Sequence, residues 1–388
     1  MTSFPQRVSA LAMVASGLVV TACADPTATT LARADAVAPH ADVSAAAASN
    51  WEFMVLPLLP GGTWTEATAV NDSGTIVGFG NVASGAVHAF RYKHGTMRDL
   101  GTQPGYPTSR ALGINLQGDI VGSATTAARP LVQTAVKWNP TGVIGRLPGT
   151  DTVLGSIARA INNSGVVVGS IRVARADWHA SRWMNGQLED LNPWVTSGLS
   201  TEARAINSSG KIVGFGDFYT TFSLYSGMLW DAAKNTKVIL PLNNGVDLYA
   251  DSSRAYDIND SGQWVGWSSY PTTGNTETYI SWTNYEFYPP VSGVLGAPES
   301  AISNKRRHVG TLKLPNGRNR AFSSTWFNGG GYGDMLPMPQ PYTVSHGVDV
   351  NTCGRVVGWV RASGSHEKRA ALWTRYARGQ NGRVYPCD

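Results

Sequence analysis

The sequence predicts an all-β fold, a seven-bladed β-propeller of four-stranded repeats of about 47 residues, closed by an N-terminal strand. Three observations carry that expectation. A phrase of the form Ile-Asn-x-x-Gly-x-Val-Val-Gly recurs, an aromatic residue follows every copy at a nearly constant distance, and turn signals punctuate short apolar runs that show no helical periodicity. Composition agrees: charged residues make up 15% of the 388, below the roughly 25% of an average soluble domain, while Gly (43) and Trp (13) are plentiful.

The phrase is anchored at Asn71, Asn115, Asn162, Asn207, Asn259, Ser303 and Asn351, spaced 44 to 52 residues apart, which suits a propeller blade and not a short solenoid repeat. It reads as a hairpin. A strand with a small residue four positions before the anchor (Ala67, Ala111, Ala158, Ala203, Ala255) leads into a turn that the Asn side chain can cap. Gly three positions later supplies a positive φ, and a Val-Gly strand follows. The sixth copy departs, with Ser303 for Asn and Arg306 for Gly.

The aromatic landmarks are Tyr92, Trp138, Trp183, Trp230, Trp282, Trp326 and Trp373. A large ring in a repeated slot is expected to pack between neighbouring units; an exposed belt that stacks on sugars is the alternative. Strands around His88-Ala89-Phe90-Arg91-Tyr92 and Met97-Arg98-Asp99-Leu100 complete four per unit. Trp51 to Gly62 resembles the strand that precedes later anchors. Residues 51–59 should therefore complete the last unit, beside the strand that ends at Trp373, and remove the edges an open array would expose. An open solenoid would want polar caps at both ends, and none is seen.

The N-terminus has the order of an export signal: Arg7, an apolar stretch from Val8 to Val20 too short to span a bilayer, then Val20-Thr21-Ala22-Cys23. This ending resembles a bacterial lipobox, which makes 1–22 a lipoprotein signal peptide and Cys23 the lipidated residue; an ordinary secretory signal is the alternative. Ala24 after the cysteine, where sorted lipoproteins of the inner membrane resemble one another in carrying Asp, points to the outer membrane or cell surface. Residues 23–50, rich in Ala, Thr, Ser and Asp, read as a flexible tether, and 51–388 as the folded domain. Cys353 and Cys387 then remain as a possible disulfide pinning the C-terminal tail to the last repeat; two free thiols are the alternative.

His88-Ala89-Phe90, the stretch from His88 to Thr102 and the Asn-x-x-Gly phrase together resemble the HAF-repeat family of bacterial extracellular proteins, over residues 51–373. The resemblance implies an exported repeat protein and carries over the Asn, Gly and aromatic landmarks as fold residues. It implies no shared reaction.

Candidate chemistry is sparse. The net charge of +5 is modest and scattered, so nucleic acid is set aside as a partner. A calcium loop would need carboxylates at alternating positions, yet the residue after the anchor is Asp only at 72 and 260, so a structural turn is expected and no metal or cofactor is called for. The readable hydrolase, metalloprotease and redox motifs are missing. His88 and His179 hold equivalent strand positions.

Just before the anchors stand Glu66, Arg110, Arg159, Glu202, Arg204, Arg254, Tyr256 and His346, which would ring the mouth of the central channel. They could form a binding site or a circle of compensating salt bridges between blades. The second candidate is the basic cluster Lys305-Arg306-Arg307-His308, with Arg306 and Arg307 as binding residues or as a solvated loop of a decayed repeat. The expected function is a monomeric, membrane-anchored binding or interaction module for a surface glycan or protein. A carbohydrate-active enzyme, glycosidase or lyase, with its site at the channel mouth is the alternative.

Overall fold

The computed structural model describes residues 50–127, 132–174, 177–192, 199–217, 226–231, 233, 236–239, 252–269, 276–281, 301–314, 316–327, 330–379 and 382–384. The signal peptide, Cys23, nearly all of the tether, Trp282 and Cys387 lie outside them.

The strands run in repeat order. A lone strand β1 (Trp51–Val55) comes first. The first sheet is β2 (Thr65–Val70), β3 (Ile76–Asn81), β4 (Val87–Lys93) and β5 (Thr96–Asp99), each antiparallel to the next. The same meander repeats in β6 (Thr108–Ile114), β7 (Ile120–Thr125), β8 (Gln133–Trp138) and β9 (Ile144–Arg146). It repeats again in β10 (Gly155–Ile161), β11 (Val167–Arg172), β12 (Trp178–Met184) and β13 (Gln187–Asp190). The fourth sheet holds β14 (Thr201–Ile206), β15 (Ile212–Gly216), β16 (Ser226–Trp230) and β17 (Thr236–Ile239). Three strands follow, β18 (Ser252–Ile258), β19 (Trp264–Ser269) and β20 (Thr276–Ser281). Next come β21 (Ala301–Ile302), β22 (Arg307–Lys313), β23 (Asn319–Phe327) and β24 (Gly330–Met335). The last repeat gives β25 (Tyr342–Val350), β26 (Arg355–Ala362) and β27 (Lys368–Arg375), and a small hairpin β28 (Ala377–Gly379) and β29 (Gly382–Val384) follows it.

This corrects the blade count. The expectation was seven four-stranded blades, and six are found; the sheet of the fifth repeat has three described strands. The position for its fourth strand falls in residues 282–300, outside those described.

β1 pairs with β27, Trp51 opposite Arg375 and Val55 opposite Ala371, so the last blade is built from both ends of the domain. The core lies between the sheets. Ala69, Val77, Ala89 and Leu100 of the first sheet pack with Ile120, Val136 and Trp138 of the second. Phe90 and Ile76 share a cluster with Val357 and Ala370 of the last blade. Apolar contact thus closes the circle together with the strand pairing.

A buried hydroxyl reinforces each of six junctions. The backbone N–H groups of Ala89, Ala135, Ala180, Gly227 and Ala321 donate to Ser109, Ser156, Thr201, Ser253 and Ser345 of the following unit, at 2.8–2.9 Å. Ala370 donates to Thr65, back at the start of the domain. Tyr92, Trp138, Trp183, Trp230 and Trp373 are all buried, and three of their indoles reach back to the preceding unit, donating to the carbonyls of Leu100, Pro148 and Pro337. In these five repeats the ring is a wedge between blades, not an exposed belt.

The anchor asparagines do more than cap. Each Oδ1 accepts the N–H four residues on, as in Asn71 with Thr75 and Asn115 with Asp119. Each Nδ2 donates to the backbone carbonyl of the next anchor: 71 to 115, 115 to 162, 162 to 207, 207 to 259, 259 to 303, and 351 round to 71. Ser303 keeps the first role through its hydroxyl, which accepts from Arg307, but has no amide to pass to Asn351. Arg306 holds a left-handed φ of 60° where six other turns place Gly, a conformation that costs an L-residue about 1–2 kcal/mol.

Two opposite effects are expected in urea unfolding. Asn162→Ala leaves a buried carbonyl and turn N–H groups without partners and should cost about 2–4 kcal/mol. Ser303→Asn combined with Arg306→Gly supplies the absent link and relieves the turn, and should add about 1–2 kcal/mol. A neutral double variant would show that the link is not what holds this junction.

Candidate functional site: the mouth of the channel

Two backbone features shape the channel wall. In β2, β6, β10, β14, β18 and β25 the ladder with the second strand shifts register three residues before the anchor, at Thr68, Leu112, Arg159, Arg204, Tyr256 and Val348. An ordinary strand would turn alternate residues inward. The bulge lets two consecutive ones line the channel, and Thr68 with Ala69, Arg204 with Ala205, and Tyr256 with Asp257 all do. The second feature is the Gly seven positions after the anchor. A Cβ at Gly122, Gly169 or Gly214 would overlap the carbonyl oxygen of Arg110, Ile157 or Glu202, so the bulged strand lies against its neighbour only because these positions are bare.

The resulting cavity measures about 590 Å³, within the usual size for a small-ligand site. Glu66, Arg110, Arg159, Arg204 and Tyr256 line it, together with Phe79, Asp257, Asp349 and Trp359. Glu202, Arg254 and His346 stand beside them. Glu202 accepts ion pairs from Arg159 and Arg204, both at 2.7 Å. Burial by itself would raise its carboxyl, and the guanidinium groups of Arg159, Arg204 and Arg254 bring it below the ordinary value. Glu66 pairs with Lys368 at 3.1 Å. Ion pairs thus bridge two junctions of the rim, through Arg159–Glu202 and Lys368–Glu66, while the Arg204–Glu202 pair lies within one strand.

Guanidinium groups also cover aromatic faces. Arg110 lies over Phe79 at 5.1 Å, Arg204 over Tyr256 at 5.3 Å and Arg254 over Phe215 at 4.7 Å, in each case across a junction. His346 stacks on Trp359 at 4.0 Å while the Lys368 ammonium stands 4.3 Å from the same ring. Two groups that close cannot share a face, so Trp359 is covered on both. Asn319 donates to Nε2 of His346, which places the ring hydrogen on Nδ1, directed at Thr311. Burial, with Lys368 and Arg361 nearby, lowers this imidazole to about 4 and keeps it neutral.

Arg110 differs from its neighbours. Among the described residues no carboxylate pairs with it, and its one partner is the face of Phe79.

The basic cluster does not join this site. Arg307 is buried, bonds Ser323 and lies over Trp51 at 5.5 Å. His308 is buried against Phe322, and burial lowers it to about 4. Lys305 and Arg306 are exposed. Successive residues of β22 face opposite sides of the sheet, and both sides are covered, so Arg307 and His308 are buried together. His88 and His179 bond Asp99 and Asp190 across adjacent strands at 2.8 and 2.6 Å, stapling the outer edge of their blades. Cys353 is buried on its anchor turn.

Asp257 and Asp349, two residues before their anchors, were not singled out from the sequence, although the signal was there: the other copies carry Ala or Gly at this position. Each carboxylate bridges a junction. Asp257 accepts from Ile302 and Ile258, and Asp349 from Val70 and Val350, at 2.7–2.8 Å. Burial raises Asp257 to about 7, and Asp349 adds to the shift; burial raises Asp349 to about 6. The backbone hydrogen bonds oppose both shifts.

No protein-family model matches the chain, and no curated protein matches it. Among solved structures it is similar to virginiamycin B lyase from Staphylococcus aureus, at 11% identity and a TM-score of 0.46 over 83% of this chain and 98% of that one. It is also similar to the β-propeller domain of the Trilobed protease from Pyrococcus furiosus, at 11% identity and a TM-score of 0.47, over 84% and 98% of the two chains. YCF48 bound to D1 peptide gives 12% identity and a TM-score of 0.45, over 84% and 97%. At such identities the likeness concerns the fold; peptide, ligand and reaction belong to those proteins.

The two aspartates set a pH dependence. Their folded values lie above the ordinary 3.8, so the folded state binds more protons than the unfolded one between about pH 4 and 7. Stability contributed by the protonated forms is complete below that window and is lost as pH rises through it. The stability of wild type relative to Asp257→Asn should therefore fall from pH 4 to 7.5, by on the order of 2 kcal/mol, less than the full shift implies because the channel admits water. Parallel pH curves for the two proteins would contradict this.

Proposed function

We propose that the protein is an exported, lipid-anchored β-propeller of the HAF-repeat kind that acts as a binding module for a glycan or protein, with its ligand site at the channel mouth. The observation that supports this most is the cavity of about 590 Å³ whose rim carries a cation, Arg110, that no described carboxylate neutralises. The lipobox-like Cys23 and the tether through residue 50 would hold the domain at an outer membrane or cell surface. A Cys353–Cys387 disulfide would fasten the tail to the last blade.

One observation speaks for a carbohydrate-active enzyme: Asp257 and Asp349 face the same cavity with raised carboxyls, as an acid–base pair would. Against it, each of their four oxygens already accepts a backbone N–H across or beside a blade junction. This favours a structural duty and hence the binding module.

Mass spectrometry of protein extracted from membranes should find a diacylglyceryl group on an N-terminal Cys23, and an intact Met1 would refute the anchor. A glycan and protein array probed with wild type and Arg110→Ala should give hits that the variant loses. Hits unaffected by the substitution would place the ligand elsewhere.

A further inference from the structure

The rim distinguishes among ligands by charge, and this inference rests on the reading of the mouth as a binding site. Glu66 and Glu202 are the carboxylates among the rim side chains identified from the sequence, and both are already paired, with Lys368 and with Arg159 and Arg204. Facing them are five cations, Arg110, Arg159, Arg204, Arg254 and Lys368, while Asp257 and Asp349, which also line the cavity, spend their carboxyl oxygens on backbone N–H groups. Arg254 lies close enough to Asp217 to oppose the rise that burial imposes on that carboxyl, so its charge is partly answered. The charge of Arg110 is not.

The aromatic residues offer little to a neutral sugar. Trp359 is sandwiched between His346 and Lys368, and Phe79, Tyr256 and Phe215 each already carry a guanidinium on a face. Carbohydrate stacking needs a bare aromatic face. What the site has available instead is the Arg110 guanidinium, held over Phe79 at 5.1 Å, a fork of N–H donors that matches a carboxylate or sulfate in geometry and charge. That contact restricts the side chain in advance, which lowers the entropic cost of engaging an anion. A cavity of this size admits a few sugar units and not a folded protein surface.

We infer that the channel mouth binds the acidic end of an anionic glycan, with Arg110 as the residue that receives its carboxylate or sulfate group. A neutral oligosaccharide of the same length lacks the group that the rim is arranged to hold.

The test is calorimetric titration of the full chain in mild detergent with three probes: trigalacturonate, neutral maltotriose of the same length, and hexaglutamate. Trigalacturonate should bind at least about tenfold more tightly than maltotriose, with affinity falling between 50 and 500 mM NaCl. Arg110→Ala should weaken it by roughly 10- to 100-fold, the usual worth of a charge-assisted hydrogen bond. Arg110→Lys should retain part of the affinity, and Lys305→Ala, on the exposed anchor turn away from the mouth, should retain all of it. An unchanged melting temperature of Arg110→Ala separates lost binding from lost folding.

Equal binding of both sugars, lost in Arg110→Ala, overturns the charge preference while the mouth remains the site. Acidic-sugar binding that ignores Arg110→Ala overturns the assignment of that residue. Tighter binding of hexaglutamate than of trigalacturonate overturns the glycan class, and no binding by any probe overturns the inference, while the array with Arg110→Ala decides the reading beneath it.

Discussion

Everything in the ring depends on an amide that serves two units at once. The anchor asparagine fixes its own turn with Oδ1 and reaches the next turn with Nδ2, so local geometry and the spacing between sheets are set by the same side chain. Serine can do the first and not the second, which is what Ser303 shows. The apolar clusters supply most of the driving force between sheets. They are not directional, however, and the amides, the hydroxyls at the junctions and the indole wedges are what specify the angle at which one sheet meets the next.

The channel wall follows from the same economy of small residues. Bare glycine on the second strand lets the first strand lie close, the bulge turns an additional side chain inward, and the positions nearest the axis are Ala or Gly except where Asp257 and Asp349 reach across a junction. Long charged residues then find room only at the wide end. There they cross from blade to blade, and most of the charge is consumed in holding the rim. Arg110 stands apart because its neighbour on the second strand is Ser123, where the strand opposite Glu66 offers Phe79 and the one opposite His346 offers Trp359.

Much of this was legible from residues alone. The anchors, the Gly turns, the aromatic slot and the strand donated by residues 51–55 were all readable, because a repeat compares a chain with itself and exposes which positions a shared environment constrains. What could not be read needed neighbours in space. The forward reach of the asparagine amide and the bulge leave no mark that separates them from ordinary capping and an ordinary strand. The fourth strand of the fifth repeat was assumed by analogy with its siblings, and the described residues do not contain it. Arg307 and His308 looked like half of a basic patch because four consecutive charged or titratable residues suggest a surface. The strand they begin belongs to a sheet covered on both faces, which buries Arg307 against Trp51 and His308 against Phe322. Asp257 and Asp349 were visible as exceptions at a position of small residues, and an exception inside a repeat is the most direct pointer a sequence of this type contains.

The asparagine links all run the same way round, from each anchor to the one that follows it in the chain. Dipoles set head to tail round a circle largely cancel, unlike those of a helix, which add along its axis. The links themselves therefore add little field along the axis. Charge at that end comes instead from Asp72 and Asp260, which stand beside their anchors, so an approaching ion would meet carboxylates at one opening and the arginine-rich rim at the other. The repeat that builds the ring thus leaves the field at each opening to side chains that differ from copy to copy, and the long-range attraction that steers anions belongs to the arginine-rich face.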